Sequence, residues 1–213
     1  LSNLVAMEIL PLAKRAVEKG KTRKERIKRA LLSATIGNAF DFGVSGYEVP
    51  YKEFERKFFE YFEKGFEIDD TDEIIEMLDN VVYVVDNCGE IVLDSIALRE
   101  LKGVGRVTLV VRGAPILTDA TLEEVKWLGL DLVVDEVLTT GGATIGILME
   151  EAPEELKNAM DDATLVIAKG MANYETLSEY DVRPICYLMM AKCSVVARSI
   201  GTRKGSLVAK LVR

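Results

Sequence analysis

The sequence predicts an α/β fold: a three-layer α/β/α arrangement around a mostly parallel sheet, with an N-terminal helical cap. Three observations predict it. From Thr71 onward, short runs rich in β-branched residues alternate with segments of helical periodicity. The runs are apolar throughout rather than at every second position, as in strands buried on both faces. The first seventy residues carry helical spacing only. The cap accordingly takes residues 1–70 and the α/β part residues 71–213, within one compact unit of a length that suits one domain or a domain with an appendage.

The elements follow in order. "NLVAMEILPLAKRAVEKG" has helical apolar spacing, basic residues near its end and a stop at Gly20. "TRKERIKRALLSATIGNAFDFG" follows, with Thr22 as N-cap. "YKEFERKFFEYFEKG" is a third amphipathic helix, whose stripe of Phe54, Phe58, Phe59 and Phe62 reads as core packing. Strands are expected at Val81–Val85, Val107–Val111, Leu132–Val134, Leu165–Ala168 and Ile185–Met190. Helices are expected at 90–101, 119–128, 143–151 with 154–160, and 175–179.

Ligands of open α/β sheets bind at the carboxyl ends of the strands. Here those ends read "DNCGE", "RGAPILTDAT", "DEVLTTGGATIG", "KGMANYE" and "AKCS". Asp86 and Asn87 offer hard oxygen donors, and Asp119 stands one βα unit later. Either carboxylate could instead cap a helix, but the pairing across adjacent strand ends favours a metal site. Lys169, Lys192 and Arg112 end apolar runs; each reads as a side chain reaching solvent or as a phosphate partner. "TTGGATIG" has no Walker "GK[ST]" and does not follow the first strand, so a dinucleotide fold gains little support. Asn38, before a glycine-flanked segment, reads equally as a helix C-cap or a site residue. Cys88 reads as a small packed side chain rather than a nucleophile.

Composition narrows the chemistry. The net charge of −8 argues against a nucleic-acid partner. No apolar run reaches the roughly 18 residues of a membrane span. Three cysteines without a CxxC pair or signal peptide point to a reducing, cytoplasmic compartment. The first residue is Leu, as in a fragment or a processed product. With no His, a Ser-His-Asp triad, a Cys-His pair and a His-zinc site are excluded. Any metal must be a hard cation held by oxygen, such as Mg2+, Mn2+ or another first-row divalent ion. A chain without Gln and rich in Lys and Glu has a thermophile-like composition.

At "DNCGEIVLDSIALREL" the chain resembles the domain of unknown function 89 family, described as metal-dependent damage-control phosphatases. "GNAFDFG", "PILTDAT", "KGMANYETL" and "LMMAKCSVVARSIG" resemble four further segments of that family, from about Ala30 to the C-terminus. The resemblance implies a divalent cation held by Asp86, Asn87 and Asp119, with Lys192 on the substrate phosphate. It implies that Asn38, Asp41, Gly170, Asn173 and Glu175 lie in or beside the pocket; Arg112 joins them as a phosphate partner from its strand-end position. Family members act on sugar phosphates, phosphopantetheine and related metabolites, and some relatives are described as carboxyl methyltransferases. Archaeal and bacterial members usually carry a helical N-terminal segment with a CxxC pair, which these residues do not contain.

The expected function is therefore metal-dependent hydrolysis of small phosphorylated metabolites. The attacking group is left open between water on the ion and a carboxylate, Asp86 first, with Glu90 or Glu175 as candidate base. Two alternatives stand beside it: an S-adenosylmethionine-dependent methyltransferase using "TTGGATIG" or Glu136, and a non-catalytic metabolite-binding module. The sequence leaves a homo-oligomer open.

Overall fold

Each central strand serves two cores at once, and this sets the layers. The structure, a computed structural model, describes residues 2–40 and 51–213. In chain order the elements are α1 (Ser2–Glu18), α2 (Arg23–Ala39), α3 (Tyr51–Lys64), β1 (Ile68–Asp69), α4 (Thr71–Ile75), β2 (Asn80–Val84), α5 (Glu90–Lys102) and β3 (Arg106–Val111). They continue with α6 (Leu122–Leu128), a 3-10 turn at Leu130–Leu132, β4 (Glu136–Thr139), α7 (Glu154–Asp161), β5 (Leu165–Lys169), α8 (Gly170–Leu177), β6 (Ile185–Met190), α9 (Ser194–Ile200) and β7 (Leu207–Val212).

Successive strand side chains point to opposite faces. Val81 and Tyr83 of β2 enter one core with Ile9 of α1, Leu31 of α2 and Leu93 of α5. Val82 and Val84 enter the other with Leu156 of α7, Leu177 of α8 and Ile200 of α9. The result is α/β/α layering. The helices expected as a cap, α1 and α2, lie in the same layer as α5 and share its core.

The seven strands run in the order β1-β7-β6-β5-β2-β3-β4. All neighbours are parallel except β6 and β7. From β2 the chain builds outward through β3 to β4, then crosses back to place β5 on the other side of β2. The topological switch point lies between β2 and β5, where a crevice opens at the strand ends. Asp86 follows β2 there, and Gly170 follows β5.

Local signals explain most boundaries. Thr22 caps α2 by accepting from Glu25 N at 3.1 Å. Thr121 and Glu124 form a capping box on α6. Two expectations give way, and two strands were not among those expected. The run at 132–134 is not a strand: Leu132 ends the 3-10 turn and is 88% exposed, and the strand follows at Glu136–Thr139. Residues 143–151 form no helix, since Gly141 and Gly146 adopt positive φ within that loop region. β1 and β7 were not foreseen; β1 is two residues long, and β7 mixes Lys210 into its apolar run.

Because α1, α2 and α5 share one core, the chain is expected to unfold as one unit. Leu98→Ala, at a fully buried site on α5, is expected to cost about 2–5 kcal/mol. Trp127 fluorescence and far-UV circular dichroism should report coincident transitions; an earlier transition of the N-terminal helices would contradict this.

Candidate functional site

The end of β2 is laced to the loop that follows β3. Asn87 and Asp119 form an isolated antiparallel bridge. Ala120 N donates to Asp86 O at 2.9 Å, and Cys88 N donates to Thr118 O at 2.7 Å. This pairing brings Asp86, Asn87 and Asp119 together. Neither aspartate serves as a helix cap: α5 starts from Gly89 without a side-chain cap, and α6 is capped by Thr121. Asn87 Nδ2 donates to Asp86 Oδ2 at 2.8 Å, while Asn87 Oδ1 accepts from Thr118 Oγ1 at 3.0 Å.

Arg112 joins the two carboxylates from below. Its Nε donates to Asp119 Oδ2 at 2.6 Å, and its Nη2 lies 3.6 Å from Asp86 Oδ1. The same guanidinium donates to Gly146 O at 2.8 Å and to Asn173 Oδ1 at 3.1 Å. Asn173 in turn donates to Val85 O and Lys169 O. A planar fork of five N–H groups suits such a junction, which a Lys could not reproduce.

A second charged group lies deeper. Lys169 is fully buried and pairs with Glu90 and with Asp94, the latter at 2.8 Å. Burial alone would lower the Lys169 pKa; Asp94 and Glu90 outweigh it and raise it. Asp94 also accepts from Tyr83 Oη at 2.7 Å, yet its Oδ2 has no partner. Burial pushes Asp94 up to about 6 despite Lys169, with Glu90 adding to the rise. Asn38 connects the groups: its Nδ2 donates to Glu90 at 2.9 Å and lies 3.4 Å from Asp86 Oδ2, and its Oδ1 accepts from Met190 N at 3.0 Å. It lies within α2, so it is not a C-cap.

Above the carboxylates lies a cavity of about 240 Å³ lined by Asn38, Asp86, Asn87, Asp119 and Lys192, together with Leu117, Ile145, Met171 and Ala172. Five of the residues singled out from sequence thus meet in one place. Arg112 and Asn173 are buried behind the lining rather than in it. Gly170 also stands behind Asp86. A Cβ there would lie 1.9 Å from Asp86 Oδ2, and the backbone has φ +78, so glycine is required. Glu175 is exposed on α8 and does not line the cavity. Asp41 lies outside the described residues. The four apolar lining residues were not anticipated; Leu117 and Ile145 stand within the quoted strand-end segments, but nothing in their spacing marks them. Cys88 is half-buried, and burial pushes its thiol up to about 12, aided by Glu124 and Asp119.

The donor set fits a hard divalent cation. Asp86, Glu90, Asp94 and Asp119 bring four carboxylates to the cluster, against Arg112 and Lys169 as its buried cations. Fully ionised, that leaves two negative charges in excess. The excess shows at Asp86, where burial, then Glu90 and Asp119, push the pKa up to about 8 against Arg112 and Lys169. No group of three or more His, Cys, Asp or Glu among the described residues is placed to hold a metal. Asp86 and Asp119, with the amide oxygen of Asn87 that here accepts from Thr118 Oγ1, could supply an all-oxygen set of the kind magnesium takes while keeping waters.

The model of the damage-control phosphatase ARMT1-like domain matches residues 1–208. A damage-control phosphatase of Archaeoglobus fulgidus is 43% identical over 214 residues, which is 99% of this chain and 73% of that protein. A damage-control phosphatase of Pyrococcus horikoshii is 36% identical over 124 residues, 57% of this chain and 43% of its own length. Among solved structures, a DUF89 family protein from Pyrococcus horikoshii aligns with a TM-score of 0.87 at 31% identity, over 100% of this chain and 73% of that one. The likeness first seen in five short segments thus extends along the chain.

Removing one partner of a buried ion pair strands the other. Lys169→Met is expected to cost about 3–5 kcal/mol in thermal or urea unfolding, since Glu90 and Asp94 lose their shared cation. A stability within about 0.5 kcal/mol of wild type would show that the triad carries no such weight.

Proposed function

This chain belongs to the damage-control phosphatase ARMT1-like domain family, and from that premise we propose that it hydrolyses small phosphorylated metabolites as a divalent-metal-dependent phosphomonoesterase. One observation carries the reading: an excess of buried carboxylate beneath a cavity that also holds Lys192. Such a floor repels a bare phosphate and needs a cation before it can accept one.

Asp86, Asn87 and Asp119 would hold the cation, as Mg2+ or Mn2+. Bound there, it supplies Lewis-acid polarisation of the phosphoryl group. Lys192, from the segment after β6, offsets the charge of the transferred phosphoryl group. Arg112 holds the two carboxylates in fixed relation and does not meet substrate. Asn38 orients Asp86 and ties α2 to the site. Asp86 Oδ2 is engaged by Asn87, approached by Asn38 and abutted by Gly170, which favours Asp86 as a ligand rather than the attacking group. Glu90 is tied to Lys169 and Asn38, and Glu175 is on the outside, so neither is placed as a base. Glu136, which a methyltransferase reading would use, sits at the start of β4 and pairs with Arg106 at 2.8 Å, at the far end of the strand from the cavity.

Asp86→Asn is expected to lower Mg2+-dependent hydrolysis of a generic phosphomonoester by about a thousandfold or more. Because it removes a carboxylate whose ionisation burial and its acidic neighbours disfavour, its Tm in EDTA should equal or exceed that of wild type. Gly170→Ala should lower activity strongly by displacing the same carboxylate. Full turnover in EDTA, or by Asp86→Asn, would contradict the reading.

A further inference from the structure

The cavity has a polar floor but an apolar mouth, and the mouth is built at a cost in backbone conformation. Leu117 is 82% exposed and has φ +46, the one positive φ at a non-glycine position among the described residues. A leucine in that region is strained, and such strain persists where the surrounding structure enforces it. The enforcement is visible. Asp119 N donates to Ile116 O at 3.0 Å across the turn, and Thr118 is bonded to Asn87 and Cys88 on both sides. The turn that delivers Asp119 to the site therefore also projects Leu117 over it.

Ile145 is 50% exposed and lines the same cavity. Its position is fixed by the two residues that follow it: Gly146 O accepts from Arg112, and Ile147 N donates to Thr176 Oγ1 at 3.0 Å. Arg112, which organises the carboxylates, thus also places this apolar side chain. Met171, after β5, completes the lining, with its sulfur accepting from Lys192 N at 3.3 Å. Neither Leu117 nor Ile145 contributes to either hydrophobic core.

We propose that Leu117, Ile145 and Met171 form a specificity rim that receives the carbon skeleton of the substrate alcohol. The favoured phosphomonoesters are those with an apolar alkyl or aryl surface next to the ester, over polyhydroxylated esters. This rests on the phosphatase reading above. The reasoning is that of a hydrophobic pocket: exposed apolar side chains gain by covering an apolar group, and covering a hydroxyl with no hydrogen-bond partner is penalised. The floor of Asn38, Asp86, Asn87, Asp119 and Lys192 serves the phosphate end, so the polar partners lie away from the rim.

The test uses the Mg2+-loaded enzyme with n-butyl phosphate and glycerol 3-phosphate, primary alkyl esters of similar size; glycerol is the better leaving group, so a preference for the butyl ester has to come from binding rather than from leaving-group chemistry. Wild type should favour the butyl ester in kcat/KM by about tenfold. Leu117→Gly and Ile145→Ser should each erase most of that preference, raising KM for the butyl ester by more than KM for glycerol 3-phosphate. Leu117→Gly should also melt no lower than wild type, since glycine suits the positive φ. Equal wild-type turnover of the two esters, or an equal loss of kcat on both in the variants, would overturn the rim while leaving the phosphatase reading standing. Hydrolysis of neither ester by wild type would overturn the phosphatase reading and the rim with it.

Discussion

A single guanidinium holds the strand ends together. Arg112, immediately after β3, reaches Asp86 beyond β2, Asp119 in its own loop, Gly146 in the loop after β4 and Asn173 in the helix after β5. Four of the five segments that form the crevice converge on it. Burying an arginine is tolerable only if its donors are met, and here each nitrogen has a partner. The sheet order makes this possible, because β2 lies between β5 and β3, with β4 beyond. A carboxylate, an amide and a backbone carbonyl from neighbouring strands can then meet at one point.

Charge balance links that junction to function. Arg112 serves the two carboxylates at the cavity, and Lys169 serves the two below it. Asn38 bridges the groups without adding charge. What is left is a floor more negative than the buried cations can offset. Burial first, then Glu90 and Asp119, hold Asp86 well above the usual carboxylate range. A divalent ion would offset the excess charge, and in the proposed reaction it turns a surface that repels phosphate into one that attracts it. The same floor is unsuited to binding an anion alone, which separates this site from phosphate cradles built on backbone N–H groups.

Much of the fold and part of the site could be read from residues alone. Four of the five expected strands form where continuous apolar runs demand burial on both faces. β4 escaped because an edge strand is half-buried throughout and lacks such a run, whereas the more apolar 132–134 lies in a turn. Asp86, Asn87, Asp119, Asn38 and Lys192 were legible as polar groups at strand ends or beside them. Arg112 and Lys169 were visible as residues but not as buried ones, since a cation ending a strand reads alike whether it turns inward or outward. A signal for the second did exist: Glu90 and Asp94 stand four apart on the apolar helix "EIVLDSIAL", a spacing that places two acids on one buried face. Glu175 shows the opposite error. Gly170, Asn173, Tyr174 and Leu177 take the inward face of α8, and helical geometry turns residue 175 outward. The apolar rim depends on a positive φ at Leu117, which no propensity of leucine announces.

The cation site is the claim on which the proposed chemistry turns. Crystals grown with Mn2+ and measured for anomalous scattering at the manganese edge test it most directly. One strong peak is expected in the cavity, bonded to oxygens of Asp86, Asn87 and Asp119 and absent from crystals of Asp86→Asn. No peak in the cavity at millimolar Mn2+, or a peak held by other side chains, would contradict it.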